Sequence, residues 1–178
     1  MEGLIPSIST QDELNEFELL NIFEGVQWAR RSRNMRSQLL APDRLNLLHK
    51  QMFGKTWRWA GRYRLTEKSI GVEAYRISTE LHNLCEDAIV WIQFRAYEPR
   101  ELAARFHHRL VVIHPYVNGN GRLARAATDL LCQRQGWAVS AWGATNRVGA
   151  GKARAAYLHA LRQADLNNFE LLVKFMGD

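Results

Sequence analysis

Twelve consecutive residues, His114-Pro115-Tyr116-Val117-Asn118-Gly119-Asn120-Gly121-Arg122-Leu123-Ala124-Arg125, concentrate the chemistry of this chain. An imidazole, an Asn-Gly-Asn-Gly turn and two guanidinium groups fall within one short stretch. A neutral imidazole can take a proton from an incoming hydroxyl. Glycines let backbone N–H groups approach an anion closely. Arg122 and Arg125, three residues apart, can present their forks to one side of a helix. The types and their order describe a proton acceptor beside a polyphosphate cradle.

Two helices must position that stretch. Phe106, Leu110 and Ile113, at spacings of four and three, predict a helix from Arg105 onward. Pro115 disfavours helical geometry at His114, so the helix is expected to stop there. Leu123, Ala126, Ala127, Leu130 and Leu131 resume the helical period. The glycines therefore open a second helix, whose free N–H groups and dipole favour an anion. A Walker loop is excluded, because no Lys-Ser pair follows the glycines. A dinucleotide fingerprint is excluded too, because no predicted strand precedes them. His107, His108 and His114 lack a metal-ligand spacing and an acidic partner, which sets aside a metal hydrolase.

The remaining chain frames one mainly α domain. Its 178 residues suffice for one domain with a real core. Charged residues at 24% beside 47% hydrophobic ones exclude a disordered chain. The longest apolar run near the motif, Leu110 to Ile113, is far too short to span a membrane. Met1-Glu2-Gly3-Leu4 shows no secretory signal, and Cys85 and Cys132 read as packed thiols, so a cytoplasmic setting is expected. A net charge of +6, mostly arginine at Arg30 to Arg36, at Arg58 to Arg64 and around the motif, suits an anionic nucleotide. Nucleic-acid binding ranks below that reading.

Further helices are expected along the chain. Thr10 and Glu13 have capping-box spacing, followed by Leu14, Phe17, Leu20, Phe23 and Val26 as one apolar side. Leu45, Leu48 and Met52 mark another helix. Ser78 or Thr79 is expected to cap a helix through Leu81, Leu84, Cys85, Ala88 and Ile92. Gly136 closes the motif helix, and Ala153 to Leu161 and Phe169 to Phe175 complete the set. Residues 63 to 77 break the pattern: rich in strand formers and without a helical face, they read as a short hairpin or extended loop. Trp57 and Trp59, just before it, read as core.

The motif resembles the Fic family signature: His-Pro-Phe, any residue, Asp or Glu, Gly-Asn-Gly-Arg, two residues, Arg. The chain departs from it at Tyr116 and Asn118. The resemblance implies a Fic-like helical bundle with a short β-hairpin flap. It implies a protein adenylyltransferase that moves AMP from ATP to a Ser, Thr or Tyr hydroxyl of a target protein. His114 would be the general base. Gly119, Asn120 and Gly121 would cradle phosphates, and Arg122 and Arg125 would hold the β- and γ-phosphates. The flap would line up the target by strand addition, with Lys68 or Ile70 clamping the modified residue. Arg154, Tyr157, Ala160 and Leu161 resemble the helix that closes the adenine side, Tyr157 being a candidate for stacking on the base or for packing.

In the family the acidic residue helps to hold Mg²⁺. An amide oxygen at Asn118 can ligate a hard cation, but without a carboxylate's charge. Three outcomes stay open: Mg²⁺ held mainly by the triphosphate, a weak enzyme, or a changed group transfer. The first is favoured, because Mg²⁺ in such sites rests largely on substrate phosphates.

Many Fic proteins carry an inhibitory helix with the pattern Ser/Thr, three residues, Glu, then Gly or Asn. Leu20-Asn21-Ile22-Phe23-Glu24-Gly25 is similar, with Leu20 in place of the hydroxyl residue. Residues 10 to 30 would form that helix, with Glu24 pairing Arg125 as a bidentate partner. Gly3-Leu4-Ile5-Pro6, Glu13 to Glu16, Phe53 to Gly61 and Ile70-Gly71-Val72 are similar to the bacterial Fic subgroup called mobile mystery protein B. Alternatives within the site are another donor or removal of AMP. An alternative of another class is a nucleotide-binding module without turnover, paired with a DNA-binding antitoxin.

Overall fold

The computed structural model describes residues 3–143 and 150–177. Eight α-helices run through them: α1 (Gln11–Arg31), α2 (Arg33–Gln38), α3 (Pro42–Phe53), α4 (Ile77–Gln93), α5 (Pro99–Ile113), α6 (Asn120–Gln135), α7 (Ala150–Asp165) and α8 (Glu170–Gly177). No described helix is long and apolar enough to cross a membrane.

Helices α5 and α6 pack on each other at the centre, with α4 on α5 and the α1–α3 pair over α6. Leu45, Leu48, Met52, Leu81, Leu84, Phe106, Leu110, Leu123 and Leu131 share one core. The pair α7–α8 closes a second cluster around Tyr157, Leu172 and Phe175. Both cysteines are buried thiols, pushed up to about 12 at Cys85 and about 11 at Cys132 by burial, and chemically quiet.

Helix α1 begins where the sequence places it. The Thr10 hydroxyl accepts from the Glu13 N–H, and the Glu13 carboxylate accepts from the Thr10 N–H. Its buried face differs from the expected one. Leu14, Asn21, Gly25 and Ala29 face inward, while Leu20 and Phe23 are exposed by 56% and 60%. Backbone proximity is the reason. A Cβ at Gly25 would stand 2.6 Å from the Gln51 carbonyl, so α1 and α3 touch main chain to main chain. Asn21 satisfies the polar groups that such an approach buries. Its amide donates to the Gln51 carbonyl at 3.1 Å, and its oxygen accepts from the Lys55 N–H and the Thr56 hydroxyl.

The hairpin expected within residues 63 to 77 does not form. The segment is an extended loop ending in a 3₁₀ turn (Ala74–Arg76), and among the described residues the one β contact is an isolated bridge between Leu4 and Trp57. The loop's ladder-forming groups are used elsewhere. The Arg64 N–H donates to the Pro115 carbonyl at 2.9 Å, and the Arg64 guanidinium takes the Thr66 and Val72 carbonyls. Helix α4 then starts at Ile77 without a side-chain cap from Ser78 or Thr79. Trp57 and Trp59 stack on each other, their ring centroids 5.2 Å apart, Trp57 within the core and Trp59 half-buried against it.

Candidate active site

The motif forms the bend between α5 and α6. His114 ends α5 in the left-handed region, with φ 51° and ψ 58°. That conformation costs a non-glycine residue about 1–2 kcal/mol, and it turns the chain sharply into Pro115. The Val111 carbonyl lies 3.3 Å from the ring Nδ1. A carbonyl only accepts, so Nδ1 carries the proton and Nε2 keeps its lone pair. Partial burial lowers the imidazole's pKa against the opposing Val111 bond, and the Arg64 and Lys68 charges lower it further. These shifts favour the neutral form of the His114 ring.

The bend is held from below. His49, on the apolar side of α3, accepts from the Gly61 N–H at Nδ1 and donates from Nε2 to the Asn118 carbonyl at 3.1 Å. Its ring stacks on Tyr116 at 3.8 Å. Burial lowers its pKa to about 4, which keeps both roles intact. The buried Asn120 side chain accepts from the Tyr116 N–H and donates to the Tyr116 carbonyl, both at 2.9 Å. Asn120 is thus the staple of the loop, and only its backbone belongs to the cleft-facing helix start. Gly119 caps α6 at φ 80°, where a Cβ would meet the Phe53 ring at 2.6 Å. The Asn118 Oδ1 accepts from the Gly119 N–H at 2.7 Å.

A cleft of about 740 Å³ opens above this bend. His114, Asn118, Gly119, Gly121, Arg122 and Arg125 line it, and Ile70, Arg154 and Tyr157 border it. No carboxylate is among its described lining residues. The Arg125 guanidinium lies 4.6 Å over the Tyr157 ring, and the Tyr157 hydroxyl sits 2.9 Å from His107 Nε2. One face of Tyr157 is therefore covered by Arg125. Lys68 is exposed on the loop, close enough for its charge to act on His114. The imidazoles of His107 and His108 point elsewhere: His107 to Tyr157 and His108 to Asp165 at 2.8 Å. Among the described residues no group of acids, cysteines and histidines could hold a metal.

The expected contact between Glu24 and Arg125 is absent. Glu24 pairs with Lys55 at 2.6 Å. The α1 acid that reaches a motif arginine is Glu18, whose Oε2 accepts from Arg122 at 2.6 Å while Oε1 accepts from the Trp57 indole. Helical geometry explains the exchange. Gly25 fixes which side of α1 faces α3, and Glu18 shares that stripe with Leu14, Asn21 and Gly25. Glu24, six residues from Glu18, lies about 120° away around the helix.

A model of the Fic/DOC family matches residues 39–132, which is over half of the chain and includes the whole bend. The chain belongs to the Fic/DOC family. It is 27% identical over 128 residues to a protein adenylyltransferase Fic from Nematostella vectensis, covering 70% of this chain and 30% of that protein. It is 26% identical over 171 residues to a protein adenylyltransferase Fic from Drosophila grimshawi, covering 94% of this chain and 33% of that one. The chain thus spans about a third of the length of these curated Fic relatives. Two solved structures share the fold. Fic-1 (residues 134–508) from C. elegans superposes with a TM-score of 0.70 at 24% identity, covering 98% of this chain and 50% of that one. BepC from Bartonella tribocorum, solved with bound AMPPNP, gives 0.72 at 20% identity, covering 96% and 88%.

Arg64, Glu18 and His49 join the site without having stood out in the sequence. For His49 a signal existed, since it lies on the Leu45-Leu48-Met52 side of α3. Arg64 and Glu18 carry none, because the partners that bring them to the site, His114 and Arg122, are remote in sequence.

Proposed function

We propose that this Fic chain transfers AMP from ATP to a Ser, Thr or Tyr hydroxyl of another protein. The observation that carries this reading is the neutral His114 ring at the lip of a cleft lined by the α6 N-terminus, Arg122 and Arg125. In the reaction the acceptor oxygen attacks the α-phosphorus and its proton passes to His114 Nε2. The bond from the α-phosphorus to the bridging oxygen breaks, and pyrophosphate leaves. The free N–H groups at the start of α6 and the two guanidinium groups stabilise phosphate charge, and catalysis is mostly positioning and electrostatics.

Among the described residues the protein's own donors do not build a metal site: Asn118 offers one neutral amide oxygen, already engaged by the Gly119 N–H. That donor set fits a Mg²⁺ carried mainly by the triphosphate, to which the remaining lone pair of Asn118 Oδ1 would add one protein oxygen. Such an ion would neutralise phosphate charge when bound. The neutral Asn118 also supports a second reading, in which the same cleft takes another donor or removes AMP.

The reading includes a brake formed by α1. Glu18, only 12% exposed at its side chain, takes one of the Arg122 donors, Nη1, that a phosphate would use. Glu24, held by Lys55, has no part in it.

The test of the transfer itself uses the full chain with labelled ATP, Mg²⁺ and lysate, alongside His114→Ala. Label on a protein band with the mass of an AMP adduct, lost in His114→Ala, supports the proposal. An unlabelled lysate with wild type and Glu18→Gln alike overturns it, and a different adduct mass with other donors selects the second reading.

A further inference from the structure

Arg64 is the largest fully buried side chain among the described residues. Its ion-pair partner, Glu67 Oε2, lies 3.7 Å from Nη1 on a side chain that is itself 65% exposed, so the pair neutralises the buried charge weakly. A charge is costly to bury in this way unless its hydrogen bonds are complete. Here they go to three backbone carbonyls: Nε donates to His114 at 2.8 Å, Nη1 to Thr66 at 3.0 Å and Nη2 to Val72. The Arg64 backbone N–H adds a fourth bond, to the Pro115 carbonyl. One residue thus holds two successive carbonyls of the bend, His114 and Pro115, and two carbonyls of the 65–72 loop.

We propose that Arg64 is a positioning residue that locks the left-handed conformation of His114 and ties the base to the loop carrying Lys68 and Ile70. The left-handed turn leaves the His114 carbonyl outside the α5 ladder, and the Arg64 fork supplies its donor. Loop and base then move as one body, so an acceptor aligned along the loop meets a ring already oriented toward it. Gly71 marks how tightly this joint is built. At φ +108°, a Cβ there would lie 2.7 Å from Arg64 Nη2 and 2.8 Å from His114 Cβ. The charges facing His114 are Arg64 and Lys68 from the loop, with Arg122 and Arg125 of α6 and Arg154 of α7 around the same cleft.

The kinetic arm of the test rests on the transfer reading proposed above; the spectroscopic arm does not. Arg64→Lys, Arg64→Met and Gly71→Ala are compared with wild type in the full chain. Turnover and KM for ATP are followed against pH, and the His114 ring is titrated by NMR. Arg64→Met is expected to lose about 10²-fold in kcat with little change in KM, the scale of a misplacement of roughly 1 Å. Its acidic limb and the His114 midpoint should move to higher pH, because a cation near the ring is gone. Arg64→Lys, which keeps a donor but cannot span three carbonyls, should recover part of the kcat. Gly71→Ala, with Arg64 intact, should shift the His114 ring signals and lower kcat. Wild-type kcat in Arg64→Lys together with unaltered His114 signals in Gly71→Ala overturns the proposal. If both Arg64 variants unfold, unaltered His114 signals in Gly71→Ala suffice to overturn it. A wild type that forms no adduct refutes the transfer reading and leaves the NMR arm to decide the role of Arg64.

Discussion

Glu18 and Arg122 lie 104 residues apart in the chain, yet their side chains form an ion pair 2.6 Å long at the mouth of the cleft. The carboxylate also accepts from the Trp57 indole N–H, so its position is fixed from two sides. A polyphosphate that takes the Arg122 Nη1 donor must displace it. Glu18→Gln retains an acceptor for Trp57 and removes the competing charge. The expected outcome is tighter ATP binding by calorimetry, by roughly tenfold if the lost pair is worth about 1.4 kcal/mol, with faster adduct formation. Glu24→Gln should leave both within about twofold, since its partner is Lys55. Equal effects of the two substitutions would assign the brake to the charge of α1 as a whole.

Buried histidines make the fold sensitive to acid. Burial lowers His49 to about 4 and His107 to about 3 from 6.5. The unfolded chain therefore binds more protons, and the stability these groups confer, complete above pH 6.5, is lost as pH falls through that window. A pKa that differs by one between the folded and unfolded chain corresponds to about 1.4 kcal/mol, so the two histidines together outweigh Asp129. That carboxyl, raised by burial to about 6, gives an opposite and smaller contribution between pH 6 and 3.8. Urea midpoints should fall steadily from pH 6.5 to about 4. A flat profile would mean that His49 and His107 are solvated.

Asn120 is expected to act through the loop and not through direct phosphate contact. Asn120→Ala strips the Tyr116 N–H and carbonyl of their partners inside the core. Leaving such groups unsatisfied costs about 1–3 kcal/mol each. Urea unfolding should report a loss of that size, with ATP binding weakened in parallel. Full stability combined with lost ATP binding would instead assign the Asn120 side chain to the ligand.

Asn118→Asp supplies the charge that this position lacks. An aspartate can still accept from the Gly119 N–H, so the bend should persist. Adduct formation is expected to saturate at several-fold lower Mg²⁺, because carboxylates are the preferred protein ligands for this hard ion. An unchanged Mg²⁺ dependence would remove Asn118 from the metal's surroundings.

Local patterns revealed much of this protein. The α5 stop before Pro115, the α6 start at the glycines, the Thr10 cap and the Gly136 close all follow from nearest-neighbour rules. The candidate site's stretch was legible for the same reason, since His114, the glycines and both arginines fall within twelve residues. The face of α1 was not. Apolar periodicity favoured Leu20 and Phe23, whereas close approach at Gly25 selected Asn21 and left both of them exposed.

What the chain determines by itself, then, is its helices, their ends and the contiguous groups of the bend, because each depends on interactions within a turn or two. Tertiary structure alone decided the rest: Glu18 on Arg122, His49 under Asn118, and Arg64 in place of a hairpin ladder. Those contacts join residues 50 to 104 positions apart, or depend on how deeply a charge is buried. Helix rotation and burial set them, and no local pattern of residue types encodes either.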